Sequence, residues 1–277
     1  MRIAPLLAVL AACGSTPEPG TTDASAGDST SADAPPQPDA TQALCARSGL
    51  VFCEDFESLP LGPATSSAWT TESASGQLAI DDTHARGQHA LEVTTTGNGR
   101  ARLQKTGLVL PGNSAWGTMH VWAAAFPTAP DYAHYTLVEL AGTGTTSLIR
   151  PIGGQYAPAA GAANPAGDYW GVGTDGGPTG DWTNWKRTAP SVAGQWLCLE
   201  FHLDATNDAI DVYIDGVAHP ELSVNRTDHG GTQVDFVFPT FDRIWFGWWL
   251  YQANPTPGTY SIWLDDLALG ATRLGCD

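Results

Sequence analysis

The stretch Arg243–Cys276, RIWFGWWLYQANPTPGTYSIWLDDLALGATRLGC, decides the fold class. Ile244, Phe246, Trp248 and Leu250 alternate with Trp245, Gly247, Trp249 and Tyr251, and that period of two belongs to a β-strand. Asn254, Pro255, Pro257 and Gly258 break the run, and a return strand follows from Tyr260 to Gly270. One face of the first strand is wholly apolar and suits a core. The other carries Trp245, Trp249 and Tyr251 beside Gly247, a composition on which sugar rings stack, with a groove left at the glycine. A second sheet covering both faces would use the same aromatics for packing alone.

The same period runs outward through the chain. Leu78 and Ile80 alternate before a polar turn at Asp81–Gln88, and Leu91 and Val93 follow it. Arg100, Arg102 and Gln104 share one face of a strand against Ala101 and Leu103. His120 and Trp122 share a face, and Trp122 joins Trp245, Trp249 and Tyr251 as a stacking candidate. His134 and Thr136 alternate with Tyr135, Leu137 and Glu139. QWLCLEFHLDATNDAIDVYIDGV reads as a hairpin, with Leu197, Leu199, Phe201 and Leu203 facing Ile210, Val212 and Ile214. The Gly/Pro/Ala-rich region Gly153–Gly180 reads as a long binding loop or lid. Helical periodicity is absent, so about a dozen short strands predict an all-β, concanavalin A-like sandwich or jelly roll of two antiparallel sheets.

The N-terminus has a different composition. Arg2 followed by the apolar run to Cys13 reads as an export signal, and Leu10-Ala11-Ala12-Cys13 resembles the lipobox of bacterial lipoproteins, with Cys13 as the lipidated residue. Gly14 after the cysteine favours an outer-membrane or surface destination. Residues 14–43 lack Lys and Arg and cannot bury a core, so they read as an acidic, Pro-stiffened tether. A monomeric domain at 44–277 is expected, reaching the membrane only through the anchor.

The chain carries a formal charge of −17, and the domain alone holds 11 basic and 24 acidic residues, a net −13. That field repels nucleic acid and anionic lipid. It also slows the approach of a polyuronate. Cys45, Cys53, Cys198 and Cys276 form an even set suited to an oxidising compartment. Of three pairings, Cys45 with Cys53 and Cys198 with Cys276 is favoured, worth at most roughly 2.5 and 4.5 kcal/mol.

The order of CEDFE, GQWLCLEFHLD, IDVYIDG, RIWFGWWLY and IWLDDLALGATRLGC along the chain resembles the core domain of the cellulose-induced secreted proteins. That jelly-roll family is related to glucuronan lyases and more distantly to alginate lyases. The resemblance implies a concave glycan groove and a structural calcium ion. Carried onto this chain, the calcium ligands would be Glu57 and Asp265 or Asp266, helped by the Asp81-Asp82 turn. It also implies lyase chemistry. Uronate β-elimination needs a group that neutralises the carboxylate, a base for the C5 proton and an acid for the leaving oxygen. Arg100, Arg102 and Gln104 suit the first role, His120 or His134 the second, and Tyr135 or Tyr251 the third.

The R-x-E-x-R and Q-x-H signatures of the lyases are absent, and ARLQKT and AHYTLVEL stand in their place. Trp and Tyr on the aromatic strand suit the apolar faces of neutral sugars, which an acidic field does not oppose. Polysaccharide binding therefore ranks above lyase activity, and whether the chain is an enzyme stays open. The carboxylate strand of concanavalin-type glucanases is also missing.

Overall fold

The computed structural model describes residues 43–130, 133–144, 148–251 and 255–276. The signal segment, Cys13 and the tether up to residue 42 lie outside them. Fourteen strands follow in chain order: β1 (Leu50–Glu54), β2 (Gly62–Pro63), β3 (Thr70–Asp81), β4 (Ala90–Thr106), β5 (Ala115–Ala123), β6 (His134–Thr143), β7 (Leu148–Ala157), β8 (Gly167–Asp175), β9 (Trp182–Pro190), β10 (Trp196–Asp204), β11 (Ala209–Ile214), β12 (Val217–Ala218), β13 (Thr240–Leu250) and β14 (Thr259–Gly270).

They pair antiparallel in the order β12-β11-β10-β5-β14-β4-β13-β6-β7-β8-β9, with β1 on β14 and β3 on β4. This curled sheet makes two layers around one core. Met119 and Val121 of β5 and Leu199 and Phe201 of β10 meet Leu140 of β6 and Phe246 and Trp248 of β13 there. The all-β jelly-roll expectation holds.

β4 joins the layers. Leu91–Thr96 pairs with β14 and Arg100–Thr106 pairs with β13, with Gly97 at φ 60° between them. The sequence suggests two strands here because the glycines interrupt the apolar alternation, yet the ladder to β3 continues past the break.

The Gly153–Gly180 loop expectation is corrected: β7 and β8 cover half of it, and only 158–166 connects them. Its glycines are required by close strand packing. A Cβ on Gly173 would lie 2.1 Å from the Trp182 carbonyl oxygen, and one on Gly154 would lie 2.4 Å from that of Tyr169.

Both expected disulfides form, with Cα–Cα distances of 5.4 Å for Cys45–Cys53 and 5.6 Å for Cys198–Cys276. The second ties the C-terminal residues to β10. Buried Glu200 reinforces that closure by accepting from Arg273 and from the Gly275 amide. Among the described residues no helix is long and apolar enough to cross a membrane.

Candidate functional site

Alternation along β13 sends Phe246, Trp248 and Leu250 into the core and Trp245, Gly247 and Trp249 to the opposite side of the layer. Cross-strand register places their neighbours. Arg100, Arg102 and Gln104 of β4 lie opposite Trp249, Gly247 and Trp245, and Glu139 and Thr136 of β6 lie opposite Trp245 and Trp249. Directly opposed residues share a face. Although this face points away from the core, Arg102 is 7% exposed, Glu139 1%, Thr136 3% and Arg150 3%. Such burial requires a concave surface, so the face is a trough.

One end of the trough is a closed ion network. Arg102 donates to Glu139 and to Glu72, the second at 3.1 Å, and Arg100 reaches Glu72 at 2.9 Å. The Arg102 guanidinium also sits 4.9 Å from the Trp245 ring centre and 5.2 Å from that of Trp249. Stacking and ion pairing together fix its plane. Burial raises the Glu139 carboxyl above its ordinary range, against the pull of Arg102 and Arg150. Glu139 Oε1, Arg100 Nε, Arg102 Nε, His134 Nδ1 and Trp245 Nε1 are buried without a hydrogen-bond partner in the protein.

The middle of the trough holds a second cluster. His134 of β6 faces Gln155 of β7, Nε2 to Oε1 at 2.7 Å, and its ring lies 5.8 Å from Tyr251. Arg150 donates to the Tyr251 hydroxyl and to Asp181 at 2.6 Å. Burial, helped by Arg150, lowers the His134 pKa and favours the neutral imidazole. Burial likewise pushes the Tyr251 hydroxyl up to about 12. The arrangement therefore offers a neutral base beside a protonated phenol.

Of the residues anticipated for this site, Arg100, Arg102, Gln104, His134, Trp245, Trp249 and Tyr251 share the trough. Three do not. Tyr135 is 1% exposed in the core, where it stacks on Trp248 at 5.0 Å and bonds Ser191 Oγ at 2.6 Å. One residue along β6 reverses the face, so an acid role in the trough is excluded. His120 and Trp122 lie on β5 in the other layer. His120 is buried against the Cys276 carbonyl oxygen at 3.2 Å and Asp266 at 3.5 Å, while Trp122 stacks on His84 at 3.8 Å.

Arg150, Gln155, Glu72 and Glu139 complete the site beyond the sequence-based candidates. The glycine-rich loop reading hid Gln155, and Arg150 lies just before that region. A glutamine and a histidine do meet, as partners across two strands rather than along one.

The acids assigned to calcium gather around the irregularity of β14 at Asp265 and Asp266. Glu57 accepts from the Gln88 amide at 2.9 Å, Asp265 from the Arg86 amide at 2.9 Å, and Asp266 pairs with the Arg86 side chain at 3.0 Å. Asp82 is exposed in the neighbouring turn. Burial, with the charges of Asp266 and Glu57 adding, pushes Asp265 up to about 7. The charge suits a cation, but the oxygens engage N–H donors, and among the described residues no three such side chains converge as a ligand set.

No protein-family model and no curated protein matches the chain. Solved structures do. Cellulose induced protein, Cip1, has a TM-score of 0.58 at 19% identity, covering 82% of this chain and 100% of that one. An endo-β-1,4-glucuronan lyase from the fungus Trichoderma reesei has a TM-score of 0.48 at 15% identity, covering 77% of this chain and 95% of that one. A botulinum neurotoxin type C structure, described as interacting with two ganglioside molecules, has a TM-score of 0.51 at 9% identity over 81% of this chain and 48% of that one. The resemblance to the cellulose-induced proteins thus extends to the fold, which is what such identities establish.

Proposed function

We propose that the trough binds a polysaccharide and that the chain is an exported, lipid-anchored binding protein. The observation that carries this reading is the Trp245–Trp249 pair clasping a guanidinium already neutralised by Glu72 and Glu139. Arg102, with no net charge left for a uronate, then serves as a rigid support for the partly exposed Trp249 ring, while Trp245 is buried. Stacking supplies affinity to an uncharged sugar without fighting the acidic field. The test is the melting temperature of residues 44–277 across a panel of neutral glucans and polyuronates. A rise with a neutral glycan that Trp249→Ala removes is expected, and no shift with any glycan would refute the reading.

A lyase is the second reading, favoured by His134, Gln155, Arg150 and Tyr251 meeting in mid-trough. In it, His134 takes the C5 proton, Tyr251 protonates the leaving oxygen, and Gln155 or Arg150 supports the uronate carboxylate. Elimination leaves an ultraviolet-absorbing unsaturated uronate. A rise in absorbance with one polyuronate, lost in His134→Ala, would place this reading first.

Anchoring rests on the lipobox at Cys13, and acyl labelling that Cys13→Ser abolishes would support it. Calcium, held by Glu57 and Asp265 with Asp82 or Asp266, belongs to the same proposal as a stabiliser. Its support is the crowding of acids around Asp265. It requires the turn carrying Arg86 and Gln88 to release those oxygens. Calcium should raise the melting temperature of the wild type and not of Glu57→Gln.

A further inference from the structure

One row of side chains crosses the trough at right angles to the strands. Trp249 of β13 is opposite Thr136 of β6, Thr136 is opposite Gly153 of β7, Gly153 is opposite Gly171 of β8, and Gly171 is opposite Trp185 of β9. All five therefore face the same side. Two indoles close the ends, and the floor between them holds one threonine and two glycines. The adjacent row runs through His134, Gln155 and Tyr169.

The far end repeats the construction of the near end. Tyr169 and Trp185 stack at 5.7 Å, and the Arg187 guanidinium lies 5.3 Å and 5.6 Å from their ring centres. Arg187 also donates to the Pro165 and Pro158 carbonyl oxygens at 2.6 and 2.8 Å, which pins the β7–β8 connection beside the ring. Trp185 lies on β9, the last strand of the sheet path, and remains partly exposed there. Nothing in the core requires an indole there, since Trp182 and Ala189 supply the buried face of β9.

We infer that Trp185, framed by Tyr169 and Arg187, is a second sugar-stacking subsite, and that the glycan lies across the strands from Trp249 to Trp185. Four strand steps separate the indoles by about 19 Å, and one hexose of an extended chain takes up about one step. The ligand is thus an unbranched chain of about five units, gripped at both ends over a glycine floor. Bulky branches on the middle units are excluded by the walls of His134, Gln155 and Arg150. This inference rests on the polysaccharide reading and specifies the length that reading needs.

Calorimetric titration with β-1,4-linked glucose oligomers of two and six units tests it. These probes are neutral, linear and extended. The hexamer should bind at least about tenfold more tightly than the dimer. Trp185→Ala should remove that advantage and leave the dimer unchanged, Trp185→Phe should retain most of it, and Trp249→Ala should weaken both. A hexamer affinity unaffected by Trp185→Ala, or no length dependence in the wild type, overturns the second subsite while leaving the first. Failure of both oligomers to bind the wild type overturns the neutral-glycan reading together with it.

Discussion

Aromatic side chains line the outer sides of both layers, but the two surfaces differ in what the protein leaves unsatisfied. On the β5–β14 layer, His84 stacks on Trp122, Trp263 meets both rings edge to face, and Trp263 Nε1 donates to Asp81 at 2.8 Å. Farther along, Trp116 stacks on His202, while Arg273 covers Tyr213 and is fixed by Glu200. In the trough, by contrast, Trp245, Glu139, His134 and both arginines each keep a buried polar atom without a protein partner. Aromatic rings on a strand therefore do not by themselves mark a sugar site. What sets the trough apart is that its indoles flank a buried Arg–Glu network instead of closing on one another.

Substitutions on the two surfaces should separate stability from binding. Trp263→Ala removes a nearly buried ring and should cost about 4 kcal/mol in urea unfolding while leaving glycan affinity unchanged. A loss of affinity as large as that of Trp249→Ala would end the distinction.

Arg102→Met strands Glu139 and should cost about 3 kcal/mol, with loss of glycan binding as the indoles lose their support. Adding Glu139→Gln should recover much of the stability and none of the binding. Recovery of both would show that Arg102 only neutralises an acid.

A smaller, pH-dependent effect is expected at Asp168, on the core side of β8, whose carboxyl burial pushes up to about 8. A folded-state pKa above that of the unfolded chain makes the neutral form stabilising. That contribution is complete below about pH 4 and is lost as pH rises through about 8. Asp168→Asn should therefore flatten the decline and gain on the order of 2 kcal/mol at pH 9. An unchanged slope of melting temperature against pH would show that Asp168 ionises freely.

Much of the trough was legible because period-two alternation on two strands exposes its face directly. Arg100, Arg102 and Gln104 on β4 and Trp245, Trp249 and Tyr251 at β13 follow from parity alone. His134 was legible as a candidate, but what separates it from His120 was not. Both are histidines on strands, and only the pairing order sends β6 and β5 to different layers. Tyr135 failed because a residue type that suits an acid role says nothing about the face it occupies. Gln155 was hidden because glycine weakens a strand pattern, and the steric necessity of glycine beside Trp182 and Tyr169 appears only once the neighbouring backbones are in place.

The sequence by itself determined the all-β class, the alternation of faces along the strands it revealed, an even set of cysteines and the acidic field, because these depend on period, count and charge. The tertiary structure decided which strands are neighbours. It brought Glu72 and Glu139 to Arg102, Gln155 to His134 and Trp185 into the row of Trp249, through contacts that join residues 14 to 113 positions apart. Such long-range register is set by packing of the whole sheet, and no local stretch of the chain encodes it.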